Sequence, residues 1–335
     1  MTERRTVLVM GASGFLGSHV TRTLVERGDR VRVLLRESSS TRAIEDLDVD
    51  RHYGDIFDTE AVHIAMHGCD AVFYCVVDTR AWLRDPAPLF RTNVEGLRGV
   101  LDIAVASGLP TFVFTSTIGT VAVGDDGRAA NEDDPFNWPG LGGPYVESRR
   151  QAEDLVLSYA RERALPAVAM CVSNTYGPRD WQPTPHGAMI AAAALGRVPV
   201  YVDGVGSEVV GVEDAAEALV LAAEHGRVGQ RYIVSERYIS QRELFATAAH
   251  AVGARAPRIG LPVQLLYAVG ATGELLGRVL RRDTPVTLTS VRLLDHTSPL
   301  DHSKATRELG WQPRPATEAI ARAAEFYVER HRARV

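Results

Sequence analysis

The chain opens with a short apolar run and then an amphipathic stretch. Val7 to Met10 fit a buried strand, whereas Val20, Leu24 and Val25 recur at helical spacing. The same alternation continues through the first half of the chain. It predicts strands at 6–10, 31–36, 50–53, 71–76, 111–116 and 167–172, and helices near 14–27, 41–46, 59–67, 86–107 and 145–163. Strands that alternate with helices in this way predict a parallel sheet covered by helices on both faces.

The pattern becomes shorter and less regular after residue 173. We therefore expect residues 1–172 to form a dinucleotide-binding domain, with returning segments near 205–240. Residues 173–335 should form mainly a smaller, mixed α/β substrate domain. The segment from Ile259 to Gly277 holds a single charge, Glu274, but Pro262 and two glycines disfavour a membrane-spanning helix. We expect a helix buried against a neighbour there, with contact to a membrane surface as the alternative.

The loop after the first strand carries glycines at positions 11, 14 and 17. Gly11 suits a tight turn, Gly14 allows a pyrophosphate to approach the backbone, and Gly17 lets the helix pack on the strand. The free amides at the start of the helix would then bind the phosphates. Further candidate contacts of the same loop are Ser13, Phe15 and Leu16.

The end of the second strand bears on the choice of cofactor. A site that prefers NAD usually has a carboxylate here, but this chain has Leu35 followed by Arg36. A guanidinium at this place suits a 2′-phosphate, with Ser39 in the same loop, so NADP(H) is favoured over NAD(H). Two alternatives stay open: Arg36 is a solvated strand end, or the adjacent Glu37 reaches the ribose.

Two other strand ends supply candidates for cofactor contact. Asp55 could accept from the adenine amino group while Ile56 meets the ring, although a turn or helix-capping aspartate is an equally simple interpretation. At the end of the fourth strand, the segment that should lie beneath the cofactor ribose consists of Cys75, Val76 and Val77. The loop that follows, at the mouth of the site, includes Asp78, Arg80 and Trp82.

The residues best suited to chemistry are Tyr145 and Arg149, which are four positions apart on one helical face. A phenol with a pKa near 10 exchanges protons poorly at neutral pH, and a fixed cation one turn away lowers that pKa. Tyr145 could then give a proton to a carbonyl oxygen, or take one from an alcohol. The Thr117 hydroxyl could orient the same oxygen.

These residues resemble the extended short-chain dehydrogenase/reductase family over nearly the full length of the chain. Within that family the sequence is most similar to the dihydroflavonol reductase-like and hopanoid-associated sugar epimerase-like branches. The resemblance rests on the glycine loop, Gly54-Asp55-Ile56, Asn93, Phe114 to Thr117, Tyr145 with Ser148, Gly177-Pro178, Val212 to Ala216 and Leu309 to Pro313. The segment Pro178 to Pro185 looks like a loop of the second branch. The resemblance implies a Rossmann-type doubly wound sheet.

The resemblance also implies an active site of Thr117, Tyr145 and Arg149, with Asn93 in a supporting role. The family expects lysine where this chain has Arg149, and Lys304 is the only lysine present. Arginine keeps the charge but is longer and planar. Because Thr117, Tyr145 and Asn93 are all present, we favour surviving catalysis over a site that only binds cofactor. The remaining implied cofactor contacts are Thr115, Val172 and Ser173, and the remaining substrate candidates are Asn174, Tyr176 and Trp181.

Composition narrows the function classes. The chain has 335 residues, 45% of them hydrophobic, and a net charge of −5, without a basic tract that would indicate nucleic acid. Three separated cysteines and an N-terminus that leads directly into a strand predict a reducing, cytoplasmic setting. His63 and His67 have metal-compatible spacing but no evident partner, so we expect no metal. Ser116 lacks the glycine-flanked turn of serine hydrolases.

We therefore expect an NADP(H)-dependent oxidoreductase that acts on a ketone, an aldehyde or the matching secondary alcohol. The first alternative is a nucleotide-sugar epimerase or dehydratase, for which Arg179, Arg197 and Arg231 could hold a diphosphate. The second is a regulatory protein that binds NADP(H) without turnover. The family resemblance also implies a homodimer formed through the helices at 86–107 and 145–163, whose outer faces include Leu155 and Leu157.

Overall fold

The computed structural model describes residues 4–124, 127–280, 283–284 and 287–333. The first half of the chain alternates strands and helices. The strands are β1 (Thr6–Met10), β2 (Arg30–Leu35), β3 (Asp50–Tyr53), β4 (Ala71–Tyr74), β5 (Phe112–Thr117) and β6 (Ala167–Val172). The helices are α1 (Phe15–Glu26), α2 (Thr59–Met66), α3 (Ala87–Phe90), α4 (Leu97–Ala106) and α5 (Gly143–Glu162).

The second half supplies shorter strands and most of the remaining helices. Its strands are β7 (Asn174–Tyr176), β8 (Val200–Asp203), β9 (Gly206–Gly211), β10 (Arg231–Val234), β11 (Arg237–Ser240) and β12 (Ile259–Pro262). Its helices are α6 (Pro185–Ala194), α7 (Val212–His225), α8 (Gln241–Ala251), α9 (Val263–Leu280), α10 (Leu288–Asp295), α11 (Ser303–Leu309) and α12 (Ala316–Arg332).

The main sheet has seven parallel strands in the order β10-β6-β5-β4-β1-β2-β3. Its central strands are apolar on both sides because helices cover both faces, which is the pattern of a doubly wound α/β sheet. One apolar core lies under α1 and α7, and another lies under α2, α4 and α5. The predicted fold class is confirmed, since all six predicted strands belong to this sheet.

Two local predictions in the first half are wrong or incomplete. The segment 41–46 forms successive turns, closed by hydrogen bonds from Ile44 N to Thr41 O and from Leu47 N to Ile44 O, because it is too short to sustain a helix. The helix expected at 86–107 is continuous, but residues Arg91–Gly96 adopt π-helical geometry. Such wide turns often occur at functional sites, and this one presents Asn93.

The second half builds two small sheets beside the large one. The first has the order β11-β9-β7, in which β11 is antiparallel to β9, and the second pairs β12 with β8. A third apolar core lies among α6, α8, α12 and these strands. Strand β10 comes from the same half but lies at the edge of the main sheet next to β6. The chain therefore crosses between its two halves more than once.

Two expectations about apolar surface change with the structure. The segment expected as a buried helix is β12 followed by α9, whose side chains at Leu265, Leu276 and Val279 are at least half exposed. None of the helices in the described part of the chain combines the length and hydrophobicity needed to cross a bilayer.

Leu155 lies in the core of this chain, whereas Leu157 is only partly buried. The homodimer stays a prediction.

Candidate functional site

The glycine loop between β1 and α1 leaves no room for side chains. Gly11 has φ +88°, and a Cβ there would lie 2.8 Å from the backbone of Cys75. A Cβ at Gly17 would lie 2.2 Å from the carbonyl oxygen of Gly11. Gly14 begins α1 without a side-chain cap, and the first turn carries no acid. The loop therefore offers unscreened helix amides at the end of β1, which fits the pyrophosphate of a dinucleotide.

The neighbouring strand ends carry the residues proposed for the adenosine half. Arg36 is exposed just after β2, and its carbonyl accepts from Ser39 N at 2.8 Å, which brings both side chains to one turn. Asp55 follows β3 and its carboxylate accepts from Phe57 N at 3.1 Å, so it closes a turn. Ile56 is partly buried against the core beside α2. This contact agrees with the alternative of a turn aspartate at position 55.

The segment after β4 is tied to the π-helical turn by Asn93. Asn93 Oδ1 accepts from Asp78 N at 2.8 Å, and Nδ2 donates to Asp78 O at 3.1 Å and to Ser148 Oγ at 3.0 Å. Ser148 in turn donates to Tyr145 O at 2.8 Å. Asn93 is 1% exposed, so it acts here by fixing the backbone on both sides of the site. Cys75 and Val76 are partly buried, and Val77 is 40% exposed.

Tyr145, Thr117 and Arg149 converge where β5 ends and α5 begins. Arg149 is 2% exposed, and its Nη2 donates to the carbonyl of Thr115 at 2.5 Å. Its guanidinium carbon lies 5.0 Å from the ring centre of Phe114. Arg149 Nε has no hydrogen-bond partner among the described residues. The guanidinium therefore points inward beneath the phenol, with donors left over for a further acceptor.

Burial raises the pKa of the Tyr145 phenol in this state, while the Arg149 guanidinium and hydrogen bonding with Thr117 pull it down. The expected lowering by the cation is therefore present but smaller than the effect of burial. Burial also lowers the pKa of Arg149, whereas the Tyr145 phenol and the nearby Glu153 carboxylate raise it. With its pKa raised, the Tyr145 phenol is protonated at neutral pH and can donate a proton.

A buried polar network behind Arg149 escaped the sequence analysis. Glu153 lies one further turn along α5 and is 4% exposed. Its Oε1 pairs with Arg231 Nη2 at 3.0 Å, so the carboxylate joins α5 to β10. The spacing Tyr145, Arg149, Glu153 was the available signal, because a charged residue on the core side of a helix needs a partner. The groups that donate to Glu153 Oε2 are Ser116, Thr120 and Cys171.

A cavity of about 780 Å³ opens between these residues and the second half of the chain. One wall is polar and consists of the β5 and β6 ends with α5: Thr115, Ser116, Thr117, Tyr145, Arg149, Val172, Ser173 and Asn174. Ser173 is 7% exposed and its Oγ has no hydrogen-bond partner among the described residues, so it is available to a ligand amide. The other wall is largely apolar and includes Trp82, Val121, Trp138, Met189, Leu293, Leu294 and Leu300, with polar side chains such as His186, Ser207, Glu208 and His296 between them.

Charge is sparse inside this cavity. Among the described residues that line it, Arg149 is the only arginine or lysine and Glu208 the only carboxylate. Glu208 accepts from Leu300 N at 2.8 Å and from the Ser235 hydroxyl, and burial raises its pKa to about 7. Glu208 and most of the apolar wall were missed, because they come from short segments far apart in the sequence.

Three candidate substrate contacts lie elsewhere. Tyr176 is 2% exposed within the core of the second half. Trp181 packs on Phe326 and beneath the guanidinium of Arg42, at ring-centre distances of 5.0 Å and 4.0 Å. Asp78 is 9% exposed and pairs with Arg80. We therefore drop these three from the substrate-contacting set, and we retain Asn174 and Trp82, which line the cavity.

The arginines considered for a diphosphate also lie outside the cavity lining. Arg231 forms an ion pair with Glu153, and Arg179 forms one with Asp46 at 3.2 Å. Arg197 is exposed just after α6. No group of His, Cys, Asp and Glu in the described ranges has the arrangement of a metal site.

Comparison with known proteins agrees with this architecture. The profile described as "NAD dependent epimerase/dehydratase family" matches residues 7–235, which include the glycine loop and the residues around Tyr145. The chain belongs to the NAD-dependent epimerase/dehydratase family. The glycine cradle and the unpartnered Ser173 hydroxyl fit the nicotinamide dinucleotide that gives this family its name.

Relatives within the family include both reductases and proteins with other names. The chain is 30% identical over 331 residues to sterol demethylase protein B of Methylococcus capsulatus, covering 97% of this chain and 99% of that protein. It is 30% identical over 326 residues to 2-alkyl-3-oxoalkanoate reductase of Stenotrophomonas maltophilia, and the match covers 93% of this chain and 96% of that protein. The crystal structure of gox2253 superimposes with a TM-score of 0.87 at 34% identity, covering 98% and 99%.

Proposed function

We propose that this protein is an NADP(H)-dependent reductase of an apolar ketone or aldehyde. The observation that carries the proposal is the cavity, whose far wall is largely apolar and whose only arginine or lysine among the described lining residues is Arg149. A nucleotide-linked sugar needs cations for its diphosphate, and the cavity supplies none beyond the residue beneath Tyr145. The relative named 2-alkyl-3-oxoalkanoate reductase supports the same substrate class.

The bound nicotinamide would supply the hydride. Gly11, Gly14 and Gly17 would bind the pyrophosphate, and Ser173 would meet the nicotinamide amide. The Thr117 hydroxyl would hold the substrate oxygen. Tyr145 Oη would give that oxygen its proton in reduction and take the proton back in oxidation.

The remaining polar residues prepare these groups. Arg149 stabilises the phenolate that proton transfer leaves and offers Nε to the cofactor ribose. The hydrogen bonds of Asn93 hold α5 and the segment after β4 in fixed positions relative to each other. The preference for NADP(H) rests on Arg36, which is exposed at the end of β2 where a carboxylate would select NAD(H).

Steady-state reduction of a series of alkyl 3-oxoalkanoates tests this proposal. We expect kcat/KM to rise about three- to fourfold for each added methylene until the cavity is full, since each buried methylene contributes about 0.8 kcal/mol. Tyr145→Phe should abolish turnover, whereas Tyr159→Phe, a control on the same helix whose hydroxyl only donates to Asp102, should retain it. Arg36→Ala should reduce kcat/KM for NADPH and leave that for NADH unchanged.

Three results would overturn the proposal. Turnover of UDP-glucose or dTDP-glucose with cofactor that stays bound, and none of the ketones, would identify an epimerase or dehydratase. NADPH affinity without turnover, together with activity gained in Arg149→Lys, would identify a binding protein. Equal turnover in wild type and Tyr145→Phe would remove the assigned proton donor.

A further inference from the structure

The outer face of α9 is an unusual surface for this chain. Six apolar side chains on it are 50–72% exposed, and we call them the α9 stripe: Leu265, Val269, Leu275, Leu276, Val279 and Leu280. At 100° per residue these positions fall within about 140° of the helix circumference, so they share one side of α9 over four turns. An exposed group of apolar side chains of this size indicates an interaction surface.

The opposite face of α9 packs inside the protein. A Cβ on Gly270 would lie 2.9 Å from Val291 of α10, so the two helices are in close contact there. Tyr267 donates to Asp295 at 2.9 Å and fixes the same pair of helices. The stripe is therefore the side of a helix that is already anchored, and docking on it requires no unfolding.

The charge around α9 has the opposite sign to the charge of the whole chain. Residues 255–282 contain five arginines and one glutamate, which gives this segment +4, whereas the complete chain carries −5. Arg255 and Arg258 are exposed just before β12. The other members of the set are Arg278, Arg281 and Arg282, together with Glu274. An apolar helix face with a basic segment around it in the sequence is typical of helices that lie in a lipid interface.

We propose that the α9 stripe docks this protein on a membrane surface that contains anionic lipids. Leu265, Val269, Leu276 and their neighbours would enter the acyl boundary, and the exposed Arg255 and Arg258 would contact phosphate headgroups. A second copy of the chain fits this face less well, because pairing the stripes would bring two segments of charge +4 together. Binding would be peripheral, since no helix in the described part of the chain is both long and apolar enough to cross a bilayer.

The stripe is also one helix away from the cavity. Helix α10 packs on α9 with Val291, and its next residues, Leu293 and Leu294, line the apolar wall. Docking would thus bring that wall close to the lipid in which apolar ketones partition. This link to the substrate rests on the proposed function, whereas the docking itself does not.

Co-sedimentation of the full chain with vesicles tests the docking without any activity readout. Vesicles of phosphatidylcholine alone are compared with vesicles of equal parts phosphatidylcholine and phosphatidylglycerol. We expect binding to the anionic vesicles that weakens with salt. Leu276→Ser with Val279→Ser should lower the partition coefficient about tenfold or more. Arg255→Gln with Arg258→Gln should lower it about fivefold for each charge, on anionic vesicles only.

The matched control is Ile64→Ser with Val228→Ser, which changes two comparably exposed apolar residues on other faces. It should bind vesicles like the wild type. Each variant is first shown to keep the thermal midpoint and the NADPH affinity of the wild type. The proposal fails if the wild type does not sediment with anionic vesicles, or if the control loses as much binding as the stripe variant. It also fails if the stripe variant only abolishes a dimer seen by analytical ultracentrifugation.

Discussion

Replacing Arg149 with methionine should affect stability and chemistry very differently. The guanidinium is 2% exposed, and its Nη2 donates a hydrogen bond to the carbonyl of Thr115. Losing a charge-assisted bond costs about 1.5–3 kcal/mol, while removing a poorly compensated buried charge returns about 1–4 kcal/mol. Methionine has a similar shape and packs well on Phe114. The free energy of unfolding should therefore change by no more than about 2 kcal/mol, as measured by urea denaturation.

The catalytic effect should be far larger. Burial already raises the pKa of Tyr145, and Arg149 is the cation that opposes it. Without that charge the phenol pKa rises further, so less phenolate is present at any given pH. Alcohol oxidation at pH 7 should fall by about 10²–10⁴, the usual contribution of a positioned acid–base group. The deficit should shrink as the pH is raised, because alkaline solution restores the phenolate.

The assay is the initial rate of alcohol oxidation with NADP⁺ between neutral and strongly alkaline pH. Arg150→Met is the control, since Arg150 lies over the ring of Phe136 on another face of α5, and it should keep the profile of the wild type. The reasoning is refuted if Arg149→Met retains activity within about threefold at pH 7. It is equally refuted if its deficit is the same at every pH, since a merely structural defect would not follow phenol ionisation.

Three further outcomes follow from single contacts. Gly17→Ala should abolish NADPH binding measured by calorimetry, because the new Cβ would lie 2.2 Å from Gly11 O. The control is Gly99→Ala on α4, whose Cβ would meet nothing within 4 Å; it should add about 0.5–1 kcal/mol to the free energy of unfolding. Asn93→Ala should cost about 2–3 kcal/mol in urea unfolding, since it leaves buried backbone groups unpaired. Glu208→Gln should gain about 3 kcal/mol over the wild type at pH 8 and nothing at pH 4. The folded-state pKa of about 7 is above the unfolded value, so the wild type loses this stability as pH rises through that range; an equal difference at both pH values would contradict the assignment.

The first half of the fold was predictable because its signals are local. Val7 to Met10 and Ala167 to Val172 are apolar on both faces of their strands, which only a covered parallel sheet allows. The three glycines lie within seven consecutive residues, and Tyr145 and Arg149 lie one helical turn apart. Local spacing therefore predicted which side chains would share an edge of the sheet or a helical face.

The second half depends on contacts that a single sequence does not encode locally. Trp181 lies in a segment whose composition is typical of a binding loop. Its ring nevertheless packs on Phe326, which is almost half the chain away in sequence. The apolarity of α9 indicated burial, but hydrophobicity alone does not distinguish a core helix from one that exposes a stripe. Glu153 and Arg231 each suggest a surface charge until the fold brings them 3.0 Å apart.

The reacting groups of the cavity and part of its apolar wall come from different stretches of the chain. Thr117, Tyr145 and Arg149 belong to the first half, whereas Met189, Leu293, Leu294 and Leu300 come from separate pieces between 183 and 300. Mutations can therefore reshape what the pocket accepts while the reacting groups stay where they are. A protein organised in this way acquires new substrates by changing its second half, and a comparison of paralogues should find divergence concentrated there.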